Sequence, residues 1–266
     1  MSLSNRGGAN LPYLRRYARA LTGSQESGDA FVRATLQAAI ADKDLKGILE
    51  AGRAGLYKAF TMVWTRTRDP ALESVQTLST SEHEAAASGR LVTITPLNRQ
   101  ALLLTTLEGF EADQAAGILS ISKERVRALV TEAIAEIDQE SATNVLIIED
   151  EPLISMQLED LVSSLGHTIC GTAATRTQAQ EVVAKATPGL VLADIQLADG
   201  SSGLDAVDDI LAIGSVPVIF ITAYPERLLT GTRPEPTYLV TKPFQEQTVR
   251  AAISQALFFK SSRPLD

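Results

Sequence analysis

The sequence predicts a multi-domain protein with an all-α half followed by an α/β half, the latter a doubly wound, five-stranded parallel sheet. Two observations predict this division. Between residues 11 and 140 apolar residues recur at spacings of three and four, which is typical of amphipathic helices. From Ala142 onward, short apolar runs alternate with helical stretches, and this alternation favours a parallel sheet with helices on both faces.

Length and composition restrict the class of protein. A chain of 266 residues is longer than one average domain, and its 45% of hydrophobic residues suffices for two cores. Cys170 is the one cysteine, which excludes an intramolecular disulfide and a cysteine-based zinc site. No apolar run reaches the ~18 residues of a membrane span. The first ten residues also lack the apolar core of a signal peptide. We therefore expect a cytoplasmic protein without membrane contact.

The helical half divides into two helical units and a linker. Residues 1–67 are predicted to form three helices: one from Leu11, one capped by Ser27 or Asp29, and one over Leu45 to Thr67. Residues 68–90 are polar and are interpreted as a linker with one short helix.

Residues 91–141 are predicted to form the second helical unit. A helix begins there with Pro96 in its first position. Helices over Ala112–Leu119 and Lys123–Ile137 follow, joined by a three-residue turn. That spacing indicates a helix-turn-helix.

Residues 142–266 are predicted to form the α/β half. Strands are expected at residues 145–148, 168–173, 190–193, 217–221 and 238–240. The first is an unbroken apolar run, which fits a strand buried on both faces. A short helix over Pro225–Leu229 is expected after the fourth strand.

Polar side chains end four of these strands. They are Glu149 and Asp150 after the first, Asp194 after the third, Thr222 after the fourth and Lys242 after the fifth. In a doubly wound sheet the carboxyl ends of the strands form the ligand site. The acids alone also fit a solvated turn, but four independent segments agree on one small site.

The residue types indicate phosphoryl chemistry. A carboxylate can attack a phosphoryl group, and the transfer depends mainly on positioning and charge neutralisation. Asp150 and Asp194 can hold Mg2+, with Glu149 acting through water. Lys242 supplies a positive charge to the phosphoryl oxygens, and Thr222 a hydrogen bond.

The segment over residues 143–260 resembles the receiver domain of two-component response regulators, a flavodoxin-like fold. The similar motifs are I-I-E-D-E-P, L-A-D-I, I-T-A-Y and V-T-K-P-F. The resemblance implies that Asp194 is the phospho-acceptor and that the backbone carbonyl of Gln196 completes the Mg2+ ligands. Typical receivers have an aromatic residue where this chain has Leu239. Tyr224 instead follows Thr222 by two positions, as in a receiver subgroup with an F-x-T-x-Y signature and an atypical switch.

The helical half resembles an extracytoplasmic-function sigma factor, with a region-2-like unit over 1–67 and a region-4-like unit over 91–141. A sigma-like half before a receiver resembles PhyR-type response regulators of the general stress response. That resemblance implies that a sensor histidine kinase phosphorylates Asp194. Phosphorylation then opens an intramolecular interface between sigma-like half and receiver. The freed half captures the anti-sigma factor NepR by sigma-factor mimicry, which releases the sigma factor EcfG.

The main alternative function is a receiver-gated sigma factor or helix-turn-helix regulator that binds promoters directly. The charge of the region-4-like unit argues against it. Residues 92–140 contain four Lys or Arg and eight Asp or Glu. Lysine and arginine supply most of the affinity of proteins for DNA, so we expect no direct DNA binding. An aspartyl-phosphate phosphatase is a third alternative. The chain lacks a further catalytic acid and a substrate cap, so we expect no enzyme.

Overall fold

The computed structural model describes residues 10–66, 96–137, 141–197, 199–229 and 236–261. They form two compact units, Met1–Glu132 and Ala133–Asp266. The predicted fold class is confirmed: helices occupy the first part, and a five-stranded parallel sheet the second. No helix in the described part of the chain is long and apolar enough to cross a membrane.

Seven helices form the helical part of the described chain. They are α1 (Leu11–Thr22), α2 (Gln25–Ala41), α3 (Lys43–Glu50), α4 (Arg53–Arg66), α5 (Leu97–Thr106), α6 (Ala112–Leu119) and α7 (Lys123–Ile137). Helices α1 and α2 pack closely, α4 packs against α2, α3 and α6, and α5 packs against α6. The buried aromatic rings of Tyr17, Tyr57 and Phe60 lie in this core.

Three sequence predictions about these helices are wrong. The predicted helix over Leu45–Thr67 is two helices, because Gly52 adopts a φ of +91° and ends the first. The cap of α2 is Ser24, whose side chain accepts a hydrogen bond from the backbone N–H of Ser27, so neither Ser27 nor Asp29 caps it. Pro96 is the residue before α5 rather than its first. The predicted linker, 68–90, lies outside the described residues.

The α/β unit has the predicted order of elements. It contains β1 (Asn144–Ile148), α8 (Pro152–Ser164), β2 (Thr168–Ala173), α9 (Arg176–Val183), β3 (Leu190–Ala193), α10 (Gly203–Ile213), β4 (Val218–Thr222), β5 (Tyr238–Thr241) and α11 (Glu246–Ser261). The strand order β2-β1-β3-β4-β5 is parallel throughout, and β1, β3 and β4 are its inner strands.

The short helix predicted over Pro225–Leu229 is a 3-10 turn over Pro225–Arg227. The backbone N–H groups of Leu228 and Leu229 both donate to the Pro225 carbonyl, which closes the turn early. The apolar core of the unit lies beneath β1, β3 and β4, and Leu146, Val191 and Phe220 belong to it. Since these strands are held by pairing on both sides, their carboxyl ends give a rigid platform for a site.

Candidate functional site

The sheet brings the predicted polar residues to one edge. Glu149 follows β1, Asp194 follows β3, Thr222 ends β4 and Lys242 follows β5. Backbone bonds continue the strand pairing past the strand ends. The N–H of Asp194 donates to the Ile148 carbonyl at 2.8 Å, and that of Lys242 to the Thr222 carbonyl at 2.8 Å. The site residues are therefore held by the sheet itself, although they lie up to 93 positions apart.

Lys242 connects the two acidic strand ends. Its Nζ lies 2.7 Å from Oε2 of Glu149 and 2.8 Å from Oδ2 of Asp194. All three side chains are nearly buried, with exposed fractions of 7%, 1% and 8% in that order. Glu151, a residue that the sequence analysis did not assign to the site, lies 3.4 Å from the same ammonium group and is largely exposed. The lysine thus neutralises a carboxylate pair that would otherwise repel.

Burial and the lysine act on these groups in opposite directions. Burial raises the pKa of Glu149 above its ordinary value, although the hydrogen bond and charge of Lys242 counteract it. For Lys242, burial lowers the pKa, but hydrogen bonds to Asp194 and Glu149 outweigh that effect and the pKa is raised. The ammonium group is therefore charged at neutral pH and is available to a phosphoryl group beside Asp194.

Glu149, Asp150 and Asp194 form a group that could hold a metal ion. One ligand oxygen from each of the three lies within 4.8 Å of the others. Carboxylate oxygens are the ligands that Mg2+ prefers, and the group combines two buried acids with the half-buried Asp150. The donor set therefore fits a hard divalent cation.

The loop after β3 positions Asp194. Its Oδ1 accepts a hydrogen bond from the backbone N–H of Ile195, and the N–H of Gly203 donates to the Ile195 carbonyl at 2.8 Å. A Cβ atom on Gly203 would lie 1.7 Å from the carbonyl oxygen of Asp194. Only glycine allows α10 to begin this close to the acid. Sequence reasoning missed Gly203, although Ser202, which caps α10, marks the position.

The remaining predicted residues lie near the same edge. Thr222 is 0% exposed, and its Oγ1 accepts a hydrogen bond from the N–H of Tyr224 at 3.2 Å. The Tyr224 ring is exposed, with the guanidinium carbon of Arg227 at 4.5 Å from its centroid. Gln196 lies two residues after Asp194, in a bridge to Ser202 with its side chain exposed.

The helix-turn-helix consists of α6, a turn at Ser120–Ser122 and α7, as predicted. Ser122 caps α7 by accepting from the N–H of Arg125. Two basic residues at the start of α7 are paired with acids of the same motif. Lys123 lies 2.7 Å from Asp113, and the Arg125 side chain 2.9 Å from Glu132.

Three family models match the chain in succession. They are the Sigma2 domain of PhyR over residues 8–61, the sigma-like domain of the response regulator PhyR over 91–140, and the response regulator receiver domain over 145–254.

Known proteins match along nearly the whole chain. The phyllosphere-induced regulator PhyR of Methylorubrum extorquens is 54% identical over 95% of this chain and 93% of its own. The crystal structure of the response regulator PhyR from Brucella abortus is 48% identical, with a TM-score of 0.84, covering 98% of this chain and 96% of that one. The anti-anti-sigma factor PhyR from Bartonella quintana is 49% identical, with a TM-score of 0.81, covering 98% and 97%. A further structure holds PhyR from that organism complexed with the anti-sigma factor NepR; it is 49% identical, with a TM-score of 0.40, and covers 97% and 100%.

Proposed function

The chain belongs to the PhyR family of response regulators, and we propose that it acts as an anti-anti-sigma factor switched on by phosphorylation of Asp194. The observation that carries the proposal is the strand-end site. Asp194 is paired with Lys242 and lies beside two further carboxylates, in the same chain as the sigma-like parts. The domain boundaries we propose are 1–67, 68–90, 91–141 and 142–266, and the proposed location is the cytoplasm.

The site suits phosphoryl transfer from a sensor histidine kinase. A carboxylate oxygen of Asp194 attacks the phosphorus of the kinase phosphohistidine, the P–N bond breaks, and the imidazole leaves. Lys242 neutralises charge on the phosphoryl oxygens, as its raised pKa allows. The Thr222 hydroxyl already accepts from Tyr224 N–H, so its own hydrogen is available to the phosphoryl group.

We propose that Mg2+ is held by Glu149, Asp150 and Asp194 with the backbone carbonyl of Gln196. When bound, it neutralises negative charge on the carboxylates and phosphoryl oxygens. The aspartyl phosphate that forms acts as an input signal rather than as a catalytic intermediate. Tyr224 is exposed beside Thr222, and we assign it to the switch that reads this signal.

The output we propose is capture of NepR by the sigma-like half, which frees the sigma factor EcfG. The Bartonella relative forms a complex with NepR, and sequence similarity to it extends along nearly the whole chain. Phosphorylation releases the sigma-like half by shifting a population between masked and available states. To change the ratio of available to masked molecules from 1:99 to 99:1 needs ~5.5 kcal/mol, and phosphorylation and NepR binding together supply this free energy.

The ion pairs of the helix-turn-helix argue against the alternative of direct promoter binding. Lys123 and Arg125, which would contact phosphates in a DNA-binding motif, are each paired with an acid on the same surface. Exposed pairs of this kind contribute little to stability. The acids lower the local positive charge on which DNA affinity depends.

The experiment compares NepR binding by the full chain and by Asp194→Ala, each with acetyl phosphate and Mg2+. We expect stimulated binding by the unchanged chain and none by the variant. A parallel mobility-shift assay with a stress promoter separates the alternative function. A titratable, salt-sensitive shift by the phosphorylated chain without RNA polymerase would favour a DNA-binding regulator.

A further inference from the structure

Glu108 is a buried carboxylate that the phosphorylation site does not use. Its side chain is 0% exposed and lies in the loop between α5 and α6. Arg16 donates to its Oε1 through Nε at 3.1 Å and Nη2 at 2.9 Å. Tyr57 donates its hydroxyl to Oε2 at 2.6 Å, and Arg53 Nη2 lies 3.1 Å from the same oxygen. Both carboxylate oxygens are therefore saturated by donors.

The donors come from the other helical unit. Arg16 lies on α1, and Arg53 and Tyr57 lie on α4, 92, 55 and 51 positions from Glu108. The same arginines also bind the loop backbone. Arg16 Nη2 donates to the Leu107 carbonyl at 3.0 Å, and Arg53 Nη2 to the Glu108 carbonyl at 2.6 Å. The two parts matched by separate sigma-like models, 8–61 and 91–140, are thus joined by hydrogen bonds as well as by packing.

Aromatic rings surround the buried side of this network. Phe110, two residues after Glu108, packs edge-on against Tyr57 with ring centroids 4.9 Å apart. The Arg53 guanidinium lies over the Phe110 ring at 4.3 Å, and Tyr17 lies against Tyr57 at 5.4 Å. The Glu108 carboxylate and the Arg16 guanidinium, whose side chains are 0% and 6% exposed, would find no water to replace a displaced partner, whereas the Arg53 side chain is 36% exposed and reaches solvent.

We propose that Glu108 is a positioning residue that fixes the region-2-like helices and the helix-turn-helix in one arrangement, preformed for the partner of the sigma-like half. Apolar contacts between helices tolerate sliding, because their attraction is not directional. A buried carboxylate bound by donors from two helices tolerates little movement of those helices, since any shift of a helix leaves a charge unpaired. Preforming the arrangement removes an ordering cost from association and so strengthens binding.

The inference rests on the proposed function in that it takes NepR as the partner. NepR affinity is measured with the phosphorylated full chain, using labelled NepR, acetyl phosphate and Mg2+. For Glu108→Ala we expect about tenfold weaker binding, because the partner must order a loosened pair of units. Glu108→Gln, which keeps the shape but not the charge, should be intermediate and serves if the alanine variant does not fold.

Leu45→Ala is the matched control. Leu45 is 1% exposed and packs with Ala39 and Ala59, so its truncation lowers stability without touching the network. At a temperature where both variants are folded, the control should bind within about threefold of the unchanged chain, a difference below 1 kcal/mol. An equal loss of affinity in Leu45→Ala would overturn the inference, since stability alone would then explain the effect.

A distance measurement reports positioning directly. Spin labels at the exposed positions Lys46→Cys and Ala128→Cys, in a Cys170→Ser background, report the separation of α3 and α7. We expect one narrow distribution that broadens in Glu108→Ala and stays narrow in Leu45→Ala. An unchanged distribution in Glu108→Ala, or unchanged NepR affinity, overturns the inference. If the unchanged chain itself does not bind NepR, the proposed function fails. The spin-label distance distributions alone then decide whether Glu108 fixes the arrangement of the two helical units.

Discussion

Replacing Gly203 by alanine should strongly slow phosphorylation of the receiver by a phosphate donor. The added Cβ would lie 1.7 Å from the carbonyl oxygen of Asp194 and 2.9 Å from its carbonyl carbon. Both are backbone atoms, so no flexible side chain can yield. Separation to at least 3.0 Å moves the loop after β3 or the start of α10 by about 1.3 Å.

The expected effect on phosphorylation is large. A displacement of about 1 Å at a reacting group can lower a rate ~100-fold, because the attacking oxygen leaves its productive position. The Asp194 carboxylate also pairs with Lys242, and that 2.8 Å contact would lengthen with the shift. We therefore expect ~100-fold slower phosphorylation by acetyl phosphate, and about 1–3 kcal/mol lower stability from overpacking.

Gly214→Ala is the control at the other end of the same helix. Gly214 follows α10 in extended backbone, and a Cβ there would meet nothing within 4 Å. Phosphorylation is measured as the mass increase of the intact chain with time, at a temperature where circular dichroism shows both variants folded. A Gly203→Ala rate within about threefold of the unchanged chain would refute the positioning argument.

Two further predictions concern charged groups. Lys242→Met leaves the buried carboxylates of Glu149 and Asp194 unpaired, so the free energy of unfolding at pH 7, measured by urea denaturation, should fall by about 3–5 kcal/mol. Added Mg2+ should restore part of this loss, and an unchanged free energy of unfolding would contradict the buried ion pairs. Burial opposes ionisation of Asp29, but hydrogen bonds from Arg15 and Arg19 outweigh it and lower the pKa. The stability this adds is present above the ordinary value of 3.8 and lost as the pH falls through the lowered value. Asp29→Asn should therefore cost about 2 kcal/mol at pH 7 and less below pH 3.8, and a cost independent of pH would contradict this.

The sequence predicted the strand-end site because its cause is local. Each strand is a short apolar run that ends at a polar residue, and parallel pairing then brings the ends together without any further information. Asp194 and Lys242 are 48 positions apart, yet two strand ends were enough to predict that they lie in one site. The prediction of the helix-turn-helix succeeded for the same reason, since Ser122 marks the start of α7 within its own turn.

Features that depend on distant contacts were missed. Glu108 lies in the short loop between α5 and α6, where the sequence alone does not distinguish it from a solvated acid. Its burial arises from contacts with α1 and α4. Gly203 is required by the backbone of another segment. The break at Gly52 was missed for a local reason. One glycine in a helical pattern costs only ~1 kcal/mol, so the continuous helical periodicity around it predicted a single helix.

We propose that phosphorylation at Asp194 controls access to the sigma-like half. Calorimetric titration of NepR into the full chain with Mg2+, with and without acetyl phosphate, tests it most directly. If about 1% of the unphosphorylated chain is competent, phosphorylation should tighten the apparent Kd by ~100-fold, with no such change in Asp194→Ala. Equal affinity of the two forms of the unchanged chain would contradict the account.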